Sequence, residues 1–193
     1  MDNKPYKMYR NMKRHVNLIV LHCSATRRNR TYTVQQLFHD HVEVNHWRYI
    51  GYHFYILRNG RVKSTRPLER MGAHAKGFNA HSIGICYEGG LDESGQPCDT
   101  RTWEQKVAMM KLVVQLHQQF PTIKEVLGHC DLPGVQKACP CFNASSLQDL
   151  LKVKDMDELE KYIAEMKAVE NHTDEKANGS GKANGCDEKG GVA

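Results

Sequence analysis

Apolar runs and turn signals alternate along the first half of the chain. Val16 to His22 is apolar and β-branched almost throughout, which is typical of a buried strand. A second strand is predicted from Tyr52 to Leu57, and the Asn-Gly pair within Arg58 to Arg61 predicts a hairpin that returns through residues 62–65. His81 to Glu88 predicts another largely buried strand. These runs indicate one sheet assembled from separate parts of the chain.

Two capping boxes predict the starts of helices between these strands. Thr33 to Gln36 predicts a helix that runs to about Trp47, and Thr102 to Gln105 predicts one that ends near Phe120, just before Pro121. Strands that alternate with helices, together with one hairpin, predict an α/β fold with a mixed central β-sheet flanked by helices.

The C-terminal third contains a short predicted strand, Glu125 to His129, and two predicted helices, Ser146 to Leu151 and Met156 to Met166. Beyond Ala168 the chain is rich in Gly, Asn, Lys and acidic residues and has almost nothing to bury, so we expect disorder there. The sequence therefore predicts one domain over residues 1–167 and a disordered tail over residues 168–193.

Composition limits the class of protein more than its function. The chain has 193 residues, 40% of them hydrophobic and 25% charged, as expected of one globular domain with a real core. The formal net charge of +5 favours approach to anionic material such as a cell wall, a nucleic acid or a membrane surface, but selects none of them. Nothing demands more than a monomer.

The cellular compartment is predicted from two features of the chain. The polar, basic N-terminus contains no signal peptide, and no apolar run approaches the roughly 20 residues that cross a membrane. The seven cysteines are odd in number and irregularly spaced, which favours reduced thiols: Cys23, Cys86, Cys98, Cys130, Cys139, Cys141 and Cys186. We therefore expect synthesis in the cytoplasm.

Histidine and cysteine residues predict a zinc site. His22 ends a predicted central strand and His129 follows a short one, and ligands converge at the ends of neighbouring strands. With Cys139 they would give three zinc ligands and leave a fourth position open, as in catalytic sites. Lys137, between two of these ligands, would put a positive charge where an oxyanion develops.

The choice of thiolate stays open at this point, because Cys130 and Cys141 are close enough in sequence to compete with Cys139. A structural site with four protein ligands is the alternative. Its ligands would be His129, Cys130, Cys139 and Cys141.

The remaining histidines are predicted to have structural positions. His39, His41 and His46 are expected on a solvated face of the first helix. His53 alternates with Tyr52 along a predicted strand, so we expect it on the face of the sheet opposite the catalytic side.

Five short motifs occur in an order that carries a specific resemblance. They are Leu21 to Thr26, Gly51 to Phe54, His74 to Asn79, Ser82 to Ile85 and Lys137 to Pro140. Over residues 16–151 the chain resembles the zinc-dependent N-acetylmuramoyl-L-alanine amidases of the phage-lysozyme type, which share a fold with the peptidoglycan recognition proteins.

The resemblance implies a function and a role for each motif residue. Zn²⁺ would be held by His22, His129 and Cys139. Tyr52 and Lys137 would form the catalytic pair, and His74 and Asn79 would line the groove for the peptide stem. The reaction would be hydrolysis of the amide between N-acetylmuramic acid and L-alanine in peptidoglycan or a muropeptide, with no nucleic acid or membrane as partner. Without a signal peptide, such an enzyme would reach the wall only through a holin or lysis.

Alternatives to this interpretation belong to the same fold. A recognition module would bind muropeptides without cutting them, as do members that lack the thiolate ligand. Cytoplasmic recycling amidases use an aspartate as third ligand, which Cys139 disfavours, and the sequence does not test an additional role in binding an RNA polymerase. Cys141 departs from the pattern, since a small hydroxyl residue is common there; it could add a ligand, form a disulfide or fill space.

Overall fold

The computed structural model describes residues 14–179, with side chains described as far as residue 171. The strands are β1 (Leu18–Cys23), β2 (Thr26–Arg27), β3 (Phe54–Ile56), β4 (Val62–Ser64), β5 (Ser82–Tyr87), β6 (Gly90–Leu91) and β7 (Glu125–Gly128). The helices are α1 (Val34–Phe38), a π-helix (His39–Val44), α2 (Trp103–Gln119), two 3₁₀ segments (His129–Asp131 and Ala144–Lys152) and α3 (Met156–Gly179).

A five-stranded sheet forms the centre of the molecule, with the strand order β4-β3-β5-β1-β7. β3, β5, β1 and β7 run parallel to one another, and β4 pairs antiparallel with β3. β1 lies between β5 and β7, and its six residues are all buried, as expected of a parallel strand covered on both faces. The predicted mixed sheet with flanking helices is confirmed.

The main hydrophobic core covers one face of this sheet. Ile19 and Leu21 of β1 pack there with Met109 and Val113 of α2, and Ile163 adds the apolar side of α3. The other face bears His22 and Cys86, and it is covered by loops and by α1 instead of long helices. That less regular cover leaves room for a site above the ends of β1 and β7.

Local sequence signals account for the starts of the elements. Thr33 and Thr102 both accept a hydrogen bond from the backbone N–H of the third residue of their helices, and the side-chain oxygen of the glutamine at that position accepts one from the N–H of the cap residue. The hairpin between β3 and β4 uses Gly60 at a φ of +75°, a conformation that favours glycine. Both predicted capping boxes and the predicted hairpin are therefore confirmed.

Two predicted helix boundaries are wrong. The helix that begins after Thr33 is α-helical only to Phe38 and continues as a π-helix to Val44. α3 continues past the predicted end at Met166 as far as Gly179. The division of the chain at residues 167 and 168 stays a prediction, and residues 1–13 and 180–193 lie outside the described part.

Two further observations bear on the sequence predictions. No helix in the described part of the chain is both long and apolar enough to cross a membrane. Cys98 is disulfide-bonded, so the prediction of reduced thiols is wrong at that residue. The free thiols among residues 14–179 are Cys23, Cys86, Cys130, Cys139 and Cys141.

Candidate metal and catalytic site

The sheet brings two histidines together at one edge. β1 and β7 are parallel neighbours with Leu21 opposite Gly128, so His22 and His129 follow this pair at the same level. Their ring centroids are 4.6 Å apart. His22 is buried with 1% exposure, whereas His129 is half-buried in the 3₁₀ turn that follows β7. This is the convergence of strand ends that the sequence predicts.

Cys139 completes the cluster from a loop far along the chain. The ligand atoms of His22, His129 and Cys139 all lie within 4.8 Å of one another. The Cys130 N–H donates to the Cys139 carbonyl at 2.7 Å, and the Cys23 N–H donates to Cys139 Sγ at 3.3 Å. The Tyr87 hydroxyl donates to the carbonyl of Pro140 at 2.8 Å. The loop is therefore tied to β1, β5 and the turn after β7.

The competing thiols point elsewhere. Cys130 Sγ lies 3.6 Å from Asp131 Oδ1, and Cys141 Sγ lies 3.7 Å from Cys23 Sγ. Neither belongs to the cluster of His22, His129 and Cys139. The alternative four-ligand structural site is therefore not formed by these side chains.

The protonation states of the two histidines suit metal binding. Burial, with smaller contributions from His74, His129 and Lys137, holds the pKa of His22 well below its usual value. Burial and then Lys137 also lower the pKa of His129. Both imidazoles are therefore neutral near pH 7 and can each offer a lone pair to a metal ion.

A chain of hydrogen bonds fixes the orientation of His22. Its Nδ1 faces Cys139 Sγ at 3.8 Å, and its Nε2 lies 3.0 Å from His74 Nδ1. His74 Nε2 is 3.4 Å from Ser82 Oγ, which donates to the carbonyl of Phe78 at 2.8 Å. Every member is satisfied if His22 donates through Nε2, which leaves its Nδ1 free to bind a metal ion.

Two glycines make room for the His74 ring. A Cβ at Gly72 would lie 2.3 Å from the ring, and one at Gly84 would lie 2.5 Å from it. Asn79 holds the same loop, because its Oδ1 accepts from the N–H groups of His74 and Ala75, both at 2.9 Å. His74 and Asn79 thus support His22. Their predicted contacts with the peptide stem stay predictions.

Tyr52 and Lys137 both lie near the cluster. The Tyr52 ring centroid lies 5.1 Å from that of His22 and 5.5 Å from that of His41. Burial raises the pKa of Tyr52 well above its usual value, so it stays a neutral hydrogen-bond donor. Lys137 is exposed and near enough for its charge to lower the pKa of both histidines.

The predicted position of His53 is wrong. It lies on the same side as the site, with its ring centroid 5.7 Å from that of His74. It accepts from the Gly84 N–H at 3.0 Å through Nδ1, and its Nε2 lies 3.0 Å from the carbonyl of Arg70. Strand alternation does not apply to it, because β3 begins only at Phe54.

His41 is a site neighbour that the sequence analysis missed. His39 and His46 are exposed as predicted, but His41 is half-buried, with its ring centroid 4.7 Å from Trp47 and 5.5 Å from Tyr52. Its Nδ1 accepts from the Gly51 N–H at 3.1 Å. The available signal was its position in sequence, ten residues before Gly51 of the Gly51-Tyr52 motif.

Comparison with known proteins agrees with this geometry. Residues 12–142 match the profile of the Amidase_2 family, N-acetylmuramoyl-L-alanine amidase. The endolysin of Klebsiella phage KP32 is 38% identical over 125 residues, which are 65% of this chain and 80% of that protein. The endolysin of Escherichia phage T7 is 36% identical over the same shares.

Solved structures give the same result. The endolysin and N-acetylmuramoyl-L-alanine amidase LysCS from Clostridium intestinale URNW is 30% identical, with a TM-score of 0.59, over 72% of this chain and 86% of that one. Because the family profile covers most of the chain and the sheet carries the motif residues to one edge, the protein belongs to the N-acetylmuramoyl-L-alanine amidase family.

Proposed function

We propose that this amidase is zinc-dependent and acts as an endolysin. Its reaction is hydrolysis of the amide that joins N-acetylmuramic acid to L-alanine in peptidoglycan, in line with its family and with the endolysins at 36–38% identity. The observation that carries the zinc dependence is the cluster of two imidazoles and one thiol, with ligand atoms within 4.8 Å of one another. The proposed substrate is the whole wall or a muropeptide.

The donor set fits zinc. His22, His129 and Cys139 would hold the ion, and three such ligands leave one position open for chemistry. The neighbouring Cys23 thiol and burial raise the pKa of the Cys139 thiol, so metal binding must displace its proton. When bound, zinc supplies Lewis acidity, which lowers the pKa of water and polarises the scissile carbonyl.

The surrounding side chains have complementary roles in the proposal. His74 holds the His22 ring so that Nδ1 points toward Cys139. Tyr52 remains a neutral phenol and orients an oxygen of the reacting groups by donating a hydrogen bond. Lys137 stabilises the negative charge that develops on the carbonyl oxygen in the transition state, because its charge lies beside the two histidines.

The proposal includes a route to the substrate. Relatives at 36–38% identity are phage endolysins, which supports synthesis inside the host and access to the wall through a holin or lysis. A monomer suffices, since the residues proposed for catalysis all come from one chain.

Hydrolysis of purified peptidoglycan, followed by mass spectrometry of the products, tests the proposal. We expect stem peptides that begin with L-alanine, no release after chelation, and recovery on addition of zinc. Cys139→Ser should lose both zinc and activity. Cys130→Ser is the matched control, because Cys130 faces Asp131 and should retain both.

Two results would contradict this function. Binding to the wall without release of stem peptides would support the recognition module instead. Full hydrolysis by Cys139→Ser would remove the thiolate from the mechanism.

A further inference from the structure

Two cysteines outside the metal cluster touch each other beside it. Cys23 Sγ and Cys141 Sγ are 3.7 Å apart, although the residues are 118 positions apart in sequence. Cys23 follows His22 directly, and Cys141 lies two residues after Cys139. We propose that Cys23 and Cys141 form a redox modification site, a dithiol that small disulfide compounds convert reversibly into an intramolecular disulfide.

The backbone at Cys141 directs its thiol toward Cys23. Cys141 has a φ of +66°, a left-handed conformation that is unfavourable for a residue with a side chain. The conformation is held by the Cys141 N–H, which donates to the carbonyl of Ala138 at 2.6 Å. Strain of this kind persists only where the surroundings enforce it, and here it brings two sulfurs into contact.

A glycine encloses the pair. A Cβ at Gly90 would lie 2.5 Å from Cys23 Sγ and 3.6 Å from Cys141 Sγ. The backbone of β6 therefore packs directly against both sulfurs, and only glycine leaves the space that they occupy. This contact limits the rotation of the Cys23 thiol away from its neighbour.

Different exposure gives the two thiols different roles in disulfide exchange. Cys141 is half-buried and can meet a reagent, whereas Cys23 is 6% exposed. The Cys141 sulfur attacks a small disulfide such as oxidised glutathione and displaces one thiol, which takes up the proton that Cys141 loses. The Cys23 sulfur then attacks the Cys141 sulfur, loses its proton and displaces the second thiol. The two cysteines are oxidised by two electrons, and the reagent is reduced to two thiols.

Cys139 is the competing partner, because its sulfur accepts from the Cys23 N–H at 3.3 Å. The choice of Cys141 rests on the proposed function, in which zinc occupies the Cys139 sulfur. Cys141 Sγ is not a proposed zinc ligand, since it lies outside the group formed by His22, His129 and Cys139.

The disulfide would connect the two segments that carry His22 and Cys139. A link between residues 118 positions apart strongly restricts the unfolded chain, so the oxidised protein should melt about 10 °C higher than the reduced protein. It should also release zinc to a chelator more slowly, because β1 and the Cys139 loop can no longer separate.

The test treats the zinc-loaded full chain with oxidised glutathione, alkylates the remaining thiols and maps the peptides by mass spectrometry. We expect a linked Cys23–Cys141 peptide, a mass lower by two hydrogens, and a raised melting temperature that dithiothreitol reverses. Cys141→Ser should keep zinc and hydrolysis but lose the linked peptide and the shift. Cys130→Ser is the matched control, because Cys130 is also half-buried but faces Asp131. It should retain the linked peptide and the shift in melting temperature.

Three outcomes would overturn the proposal. They are a linked Cys23–Cys139 peptide, a glutathione adduct that stays on Cys141, and two free thiols after treatment. Zinc content and hydrolysis are measured on the same samples and report separately on the proposed function. Loss of zinc binding by the reduced protein would count against that function, whereas peptide mapping of the metal-free protein would still test the dithiol.

Discussion

Single residues around His22, His129 and Cys139 determine how these proposed zinc ligands are oriented. His22 Nδ1 faces Cys139 and His22 Nε2 faces His74. The first nitrogen is therefore available to a metal ion, and the second holds the ring through a hydrogen bond. The partner of the second nitrogen fixes the tautomer of a ligand histidine and contributes to metal affinity. His74 is itself confined between Gly72 and Gly84 and cannot easily move away.

His74→Ala should therefore weaken zinc binding by about 10–100-fold, the usual effect of losing such a partner. Titration against a chromophoric chelator measures the affinity directly. His74→Asn should recover part of the loss, because the amide oxygen can accept the proton of His22 Nε2. A raised KM with unchanged zinc affinity would instead support a role for His74 in binding the peptide stem.

At the same scale, the pattern of residues alone predicted that His22 and His129 meet but left the choice of thiolate open, and only the family resemblance selected Cys139. His22 and His129 could be found because apolar runs mark the strand ends that carry them. The pattern of residues could not show which of Cys130, Cys139 and Cys141 faces the two histidines. The three side chains are chemically identical, and only the folded backbone determines their directions. The φ of +66° that turns Cys141 toward Cys23 follows from packing, and no local pattern predicts it.

Among the elements, the π-helix differs most from the predicted structure. The capping box at Thr33 correctly predicts a helix. The pattern of apolar residues, however, does not predict the change from α to π geometry at His39. π-helical turns are often found at functional sites. Here the turn carries His41 inward to Gly51, next to Tyr52, while His39 stays exposed.

His41→Ala should lower kcat for peptidoglycan hydrolysis about tenfold, because the Gly51 N–H loses its acceptor and Tyr52 its neighbour. Zinc affinity should not change. His41→Asn should restore most of the rate, since its side-chain oxygen can accept from Gly51. His39→Ala on the same π-helix is the control and should leave the rate unchanged; loss of zinc from His41→Ala would contradict this positioning role.

For the molecule as a whole, the site concentrates neutral histidines in the interior. His22 and His53 are buried at 1% and 0% exposure, and His74 packs between them. Burial is the largest cause of the lowered pKa at each of the three. The mixed sheet and the meeting of His22 and His129 at its strand ends could be inferred from the strand pattern. The mutual burial of His22, His53 and His74 could not, because it depends on loops that pack together only in the folded chain.

This burial makes the stability of the metal-free protein depend on pH. Above about pH 6.5 the buried histidines are neutral in both states, so they add no pH dependence. Below that value the unfolded chain takes up protons that the folded protein excludes, and the free energy of unfolding falls as the pH falls. For His53, whose pKa burial lowers to about 3, the loss continues from pH 6.5 toward pH 3 at up to about 1.4 kcal/mol per pH unit.

Urea unfolding of the chelator-treated protein between pH 7.5 and pH 4.5 measures this dependence. His53→Gln should reduce the slope below pH 6 by about one proton, because the amide can still bond to Gly84 and Arg70 but does not titrate. The metal-loaded protein should lose stability more steeply than the metal-free protein, since protons also compete with zinc for His22 and His129. An unchanged slope in His53→Gln would mean that His53 is protonated in the folded protein, and its hydrogen bond from the Gly84 N–H could then not exist.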